Sequence, residues 1–297
     1  MSIKPINIAI AYDFDGTLAP GNMQEHSFIP KLGINSTAFW EEANQIAREH
    51  DADEILTYMQ LMISKAREKK IPVTRQAFIE HGRKITFFEG VEAYFDRINA
   101  FAHAAGVQTD HYIISSGVRE IINGTSISRH FRYIFASGYI FDANGIATWP
   151  ALAINYTTKT QYLFRINKGI LNSYDNSQIN KFVEYDKRPV PFPNMIYIGD
   201  GETDVPAMKM IKYQGGTSIA VYDPAKRRKK DKPSPKQICE KLILDQRADF
   251  MAPADYREGS RLDLIIKSII SKTRALAQNK TTYDTKRRNQ TKRTRDR

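Results

Sequence analysis

The chain has 297 residues, 41% of them hydrophobic and 26% charged, a make-up that suits one large α/β domain or two ordinary ones. No apolar run approaches the roughly 20 residues of a membrane span, and no small-residue cleavage site follows the N-terminus, so we expect a cytoplasmic protein with no membrane partner. The single cysteine, Cys239, excludes an internal disulfide framework and a thiolate metal site. The formal net charge of +11 is concentrated in residues 226–236 (KRRKKDKPSPK) and 286–297 (KRRNQTKRTRDR), each carrying +6, so the rest of the chain is nearly neutral. Such runs can bind nucleic acid. They carry no interleaved aromatics for stacking bases, and they read as a solvated loop and a basic, disordered tail over 281–297.

In chain order, short continuous apolar runs predict buried parallel strands at 6–14, 111–115, 195–199, 218–221 and 248–252. Between them, helical periodicity covers 91–105, ending before Gly106, then 158–168, ending before Gly169, and 262–277. Alternation of this kind predicts an α/β fold with a doubly wound parallel sheet, whose ligands sit beyond the carboxyl ends of the strands. Two segments break the pattern. Residues 37–85 are almost entirely helical and predict an inserted bundle. Residues 133–154, with the turn sequence Asp142-Ala-Asn-Gly145, predict a hairpin-like excursion. Residues 170–194 are polar and then proline-rich, an extended surface connection.

The chemistry concentrates at predicted strand ends. Asp13-Phe14-Asp15-Gly16-Thr17 follows the apolar run IAIAY, and two aspartates spaced by two in extended chain point to one side. Carboxylates this close repel unless a cation sits between them, and a hard divalent cation such as Mg²⁺ takes oxygens of this kind. A second acidic pair, Asp200 and Asp204, follows the run ending at Gly199. A third run ends in Ser115-Ser116-Gly117, and Lys159 opens a predicted helix, where it would offer a point charge to a phosphate oxygen.

The order DFDGT, ISSG, a helix-initial lysine and GDGETD resembles the haloacid dehalogenase-like hydrolase superfamily. Ile114-Ser115-Ser116-Gly117-Val118-Arg119 is similar to the second motif of its phosphoserine phosphatase-like branch. The resemblance implies a Rossmann-like core over 1–19 and 87–280 with a helical cap inserted over 20–86. It also implies a Mg²⁺-dependent phosphatase acting on a small phosphorylated metabolite. Asp13 would be the nucleophile forming an aspartyl-phosphate. Asp15 would be the acid–base residue and a metal ligand through its carbonyl. Asp13 and Asp200 would hold the metal and Asp204 would orient its shell. Ser115 and Lys159 would hold the phosphoryl oxygens, with Ser116, Gly117 and Thr17 contacting substrate. Asp15 argues for phosphate esters over carbon–halogen bonds. Lys168 competes with Lys159 for the lysine role, and Ser116 competes with Ser115. Alternatives are a phosphotransferase or mutase on the same fold, or a nucleic-acid-associated protein tethered by its basic segments.

Phosphoserine phosphatases carry a serine at the position of Gly16, and a glutamate whose register Glu25 does not clearly match, which argues against phosphoserine as substrate. Phe39, Trp40, Ile46, Ile55, Leu56, Met59, Leu61 and Met62 lie at helical spacing, and read as bundle core and cap–core contacts rather than a ligand cage. The basic run starting at Lys226 follows a strand end, which places it near the mouth of a strand-end site, where it would attract an anionic substrate.

Overall fold

The structure is a computed structural model and describes residues 6–226 and 233–295. Seven strands form one sheet in the order β4-β3-β2-β1-β5-β6-β7. They are β1 (Ile6–Tyr12), β2 (Val107–Val118), β3 (Phe131–Phe141), β4 (Ala147–Leu152), β5 (Met195–Gly199), β6 (Thr217–Tyr222) and β7 (Phe250–Pro253). All neighbours pair in parallel except β3 and β4. The doubly wound α/β expectation holds.

The helices are α1 (Met23–His26), α2 (Phe28–Leu32), α3 (Ser36–His50), α4 (Glu54–Glu68), α5 (Arg75–Gly82) and α6 (Val91–Ala104) before β2. Then come α7 (Arg119–Asn123), α8 (Lys159–Lys168), α9 (Asn176–Ile179), α10 (Val205–Tyr213), α11 (Pro235–Leu244) and α12 (Arg261–Arg295). The two faces of β1 explain its continuous apolar run. Ile8, Ile10, Tyr12 and Phe14 join a core shared with α6, α12 and the helices α1–α5, while Ala9 and Ala11 face α8, α10 and α11. Both faces are covered, as parallel strands require.

The hairpin differs from the expectation in one respect. Its first strand, β3, is a full member of the parallel sheet, and only β4 runs back. The turn between them is held by Asp142 Oδ1, which accepts from the backbone N–H of Asn144 and Ile146. This hairpin is also the platform for the inserted helices. Tyr139 of β3 donates to the carbonyl of Met59, Arg67 donates to the carbonyl of Ala147, and Phe78 stacks on Tyr139 with ring centroids 5.3 Å apart. Asn35, Asp53 and Thr74 cap the N-termini of α3, α4 and α5 through their side chains.

Three boundaries move. The last strand is 250–253 rather than 248–252. The helical run read over 37–85 begins earlier, with α1 and α2, inside the 20–86 span the resemblance implies. The last helix runs on to Arg295, across the segment expected to be a disordered tail. Nothing between 261 and 295 is a glycine or proline, so no residue type there ends a helix. Of the basic run 226–236, residues 227–232 lie outside the described residues. Its end enters α11, where Ser234 and Gln237 form a capping box.

Candidate active site

The strand order reverses direction at β1: β2, β3 and β4 lie to one side, β5, β6 and β7 to the other. Sheets of this kind leave a crevice at such a switch point, and here it opens between the ends of β1 and β5. Tyr12 pairs with Ile198, and the N–H of Asp13 continues the ladder to the carbonyl of Ile198 at 2.9 Å. Asp13 therefore emerges beside Gly199-Asp200. After Asp13 the chain turns tightly, with the N–H of Gly16 on the carbonyl of Ala19 and that of Leu18 on Phe14. Gly16 has φ +72°, and a Cβ there would fall 2.1 Å from Asp200 Oδ2. Glycine is needed both for the turn and for the close approach of the second carboxylate.

Lys159, the first residue of α8, is fully buried. Its Nζ lies 3.0 Å from Asp13 Oδ2 and 2.6 Å from Asp204 Oδ1. Asp204 is saturated. Its Oδ1 also accepts from the Tyr197 hydroxyl at 2.6 Å, and its Oδ2 accepts from the backbone N–H of Asp200 at 3.1 Å and of Gly201 at 3.4 Å. Asp13 Oδ1 accepts from the N–H of Phe14, and Asp15 Oδ1 from the N–H of Met23, both at 2.8 Å. Ser115 Oγ accepts from the N–H of Gly117 at 3.0 Å.

One buried lysine does not balance these carboxylates. Burial, opposed by Lys159 and reinforced by Asp204, raises Asp13 to about 6. Burial, then the charges of Asp204 and Asp13, raise Asp200 to about 8. Burial and the neighbouring Asp13 hold Asp15 well above the usual carboxylate range. Burial works against the charge on Lys159, but Asp13 and Asp204 overcome it and hold its pKa above the ordinary lysine value. Asp13, Asp200 and Asp204 each bring a carboxylate oxygen within 4.8 Å of the others. The site is rich in negative charge and built from hard oxygen donors.

Of the residues singled out in the sequence, Asp13, Asp15, Ser115, Ser116, Gly117 and Asp200 line one cleft of about 930 Å³. Lys159 and Asp204 stand directly behind it. Lys168 is elsewhere: it holds the carbonyls of Ile179 and Lys181. Thr17 does not line the cleft. It is fully buried, its hydroxyl has no partner, and its carbonyl accepts from Tyr256; the tight turn after Asp15 directs it inward. Asp204, with four donors on its two oxygens, is a clamp on Lys159 and on the backbone of Asp200.

Several residues of the site were not read from the sequence. Tyr197, fully buried behind the cleft against Asp204, and Tyr58, which lines it, sit in apolar stretches and look like core. Tyr58 donates to the carbonyl of Ser116 at 2.7 Å. Gln24 lines the cleft from α1, a helix too short to show a period. Trp40 and Ile55, read as bundle core, pack half-buried against the core and line the cleft as well, while Phe39, Met59 and Met62 are buried as expected. Lys226, the first residue of the basic run expected near the mouth of the site, does line the cleft.

The class defined by this sheet and site is confirmed by similarity. The chain belongs to the haloacid dehalogenase-like hydrolase family, whose model matches residues 10–209. An uncharacterized protein of Borreliella burgdorferi is 30% identical over 283 residues, covering 86% of this chain and 93% of that one. A family hydrolase from Salmonella enterica serovar Typhi superposes with a TM-score of 0.54 at 17% identity, over 89% of this chain and 72% of its own. A substrate-bound phosphoserine phosphatase gives 0.51 at 16% identity, over 89% of this chain and 99% of its own. These structures share the fold. No helix among the described residues is long and apolar enough to cross a membrane.

Proposed function

We propose that this hydrolase is a Mg²⁺-dependent phosphomonoesterase working through an aspartyl-phosphate. The observation that carries the reading is the convergence of Asp13, Asp15 and Asp200 on one cleft, with Lys159 bridging Asp13 and Asp204. With Asp204 saturated, Asp13 and Asp200 face the cleft, Asp13 with one partner on each oxygen and a lone pair to spare on each, and with the Asp15 carbonyl they would fit a hard divalent ion. Bound there, Mg²⁺ would neutralise charge on the phosphoryl group.

Asp13 forms the oxygen–phosphorus bond while the bond to the leaving oxygen breaks. Its carboxylate is oriented by the N–H of Phe14 and by Lys159. Asp15, held by the N–H of Met23, gives its proton to the leaving oxygen. It then takes a proton from the water that attacks phosphorus, which releases phosphate and restores Asp13. Ser115, the backbone beside Gly117 and Lys159 receive the phosphoryl oxygens. The insert over 20–86 acts as a cap on the core formed by 1–19 and 87–280, excluding water when substrate is bound.

The test is hydrolysis of p-nitrophenyl phosphate and small phosphate esters with Mg²⁺ and with EDTA, beside Asp13→Asn. Metal-dependent turnover that disappears in the variant is expected, as is trapping by beryllium fluoride. Turnover that survives Asp13→Asn overturns the mechanism.

A further inference from the structure

The wall of the cleft opposite the strand ends comes from the insert, and its chemistry bears on the leaving group. Gln24 is 2% exposed and lines the cleft, and its Oε1 has no hydrogen-bond partner. An unpaired buried amide oxygen is destabilising, and a donor on a bound molecule removes that cost. Three carboxylates, Glu25, Glu41 and Glu54, line the same cleft. Glu25 is fixed in place: its Oε1 accepts from Trp40 Nε1 at 2.7 Å and from Asn22 Nδ2 at 3.0 Å. Glu42 is taken up by Lys65 at 2.7 Å, whereas no lysine or arginine among the described residues pairs with Glu41 or Glu54. Aromatic faces are present as well. The Trp40 and Tyr58 rings meet at 67° with centroids 5.4 Å apart, and Tyr156 lines the cleft, 44% exposed.

Polar groups therefore stand on both walls of the cleft. Its positive charge stands at the strand-end side, where Lys226 acts on Asp200. The insert side offers carboxylates, a buried acceptor and rings, and no arginine lines the cleft among the described residues. Carboxylates beside aromatic faces attract organic cations. An anionic leaving group would meet like charge there.

We propose that the insert wall receives a cationic nitrogen: the substrate is the phosphate ester of a short alcohol that carries an ammonium or alkylated ammonium group and no carboxylate. The proposal rests on the phosphatase reading and names its substrate class. Gln24 Oε1 accepts from an N–H or hydroxyl of the leaving group, Glu25, Glu41 and Glu54 supply the counter-charge, and Trp40 and Tyr58 supply the ring faces.

The decisive comparison is between O-phosphocholine and 3,3-dimethylbutyl phosphate, which share a shape and differ in the charge. Phosphoethanolamine and O-phosphoserine complete the set. The intact protein is expected to show a kcat/KM at least about tenfold higher for the cationic ester. That ratio should fall in Glu25→Gln, Glu54→Gln and Gln24→Met, and phosphoserine should lag behind phosphoethanolamine. Equal kcat/KM for the two isosteric esters, or a preference for phosphoserine, overturns the proposal. If no ester is turned over, p-nitrophenyl phosphate included, the phosphatase reading has failed separately. Calorimetric titration of Asp13→Asn with the same isosteric pair then decides: tighter binding of the ammonium ester supports the proposal, and equal or absent binding of both overturns it.

Discussion

On the strand-end wall of the cleft, Asp204 alone accepts four hydrogen bonds, and Lys159 is fully buried between two carboxylates. On the insert wall, Gln24 keeps an unpaired oxygen, and Glu41 and Glu54 have no ion-pair partner among the described residues. The first wall hangs from adjacent parallel strands whose register leaves little freedom. The second hangs from α1, four residues with no side-chain cap, and from the capped helices α3 and α4, of which α4 also packs on the β3–β4 hairpin. On the proposed function the contrast follows from the tasks: groups that meet a transition state must be held before substrate arrives, whereas groups that recognise a leaving group find their partners in the ligand.

Breaking the strand-end wall at its centre should have the largest effect. Asp13→Asn is expected to lower kcat for p-nitrophenyl phosphate by about 10⁴-fold or more, with unchanged urea unfolding showing that the loss is chemical. Separating the two walls should come next. Phe78 stacks between Phe28 and Tyr139 at centroid distances of 5.8 and 5.3 Å, so Phe78→Ala should cost about 3–5 kcal/mol in chemical denaturation. Unchanged stability would mean that the insert does not share the core of the domain.

A third effect lies beneath the strand-end wall. His111 is buried, and burial depresses its pKa from 6.5 to about 3. Its Nδ1 lies 2.9 Å from the Tyr12 hydroxyl and its Nε2 2.9 Å from Asn99 Oδ1. Between the two pKa values only the unfolded state binds the proton, so this contribution is complete above pH 6.5 and is lost as pH falls toward 3. At pH 4.5 the loss is roughly 2–3 kcal/mol. Asp13 and Asp200, with raised values, act in the opposite sense as pH rises. The difference between wild type and His111→Gln across pH 7 to 4.5 isolates the histidine, and parallel curves would refute its role.

The smallest effect sharpens the comparison rather than breaking it. Tyr197→Phe removes one of the four donors on Asp204 and should lower kcat about tenfold, or about 1.4 kcal/mol, while KM changes little. A change in KM alone would assign Tyr197 to substrate binding and not to the clamp.

Continuous apolar runs and the acidic residues that end them were readable because parallel strands are buried on both faces and deliver their next residue to a common edge. That logic identified β1, β2, β5 and β6, and with them Asp13, Asp15, Ser115 and Asp200, all now found on one cleft. The sequence favours Lys159 over Lys168 because Lys159 opens α8 and so faces the strand ends. The fold directs the N-terminal end of that helix at Asp13 and leaves Lys168 to hold the carbonyls of Ile179 and Lys181. The saturation of Asp204 and the inward position of Thr17 depend on tight turns that residue type does not reveal. Tyr197, Tyr58 and Trp40 were hidden for a different reason: a polar atom at the tip of a large apolar side chain leaves the hydrophobic pattern unchanged.

The amino-acid sequence by itself determined the sheet, its covering helices and the carboxylates at strand ends, because burial and strand termini leave a local signature one residue to a few turns long. Which of those carboxylates is clamped, which stays open, and which insert residues face them was decided by the tertiary structure alone. Those relations join Gln24, Tyr58, Ser116, Lys159 and Asp204, residues far apart in the chain, and only packing across the sheet brings them together.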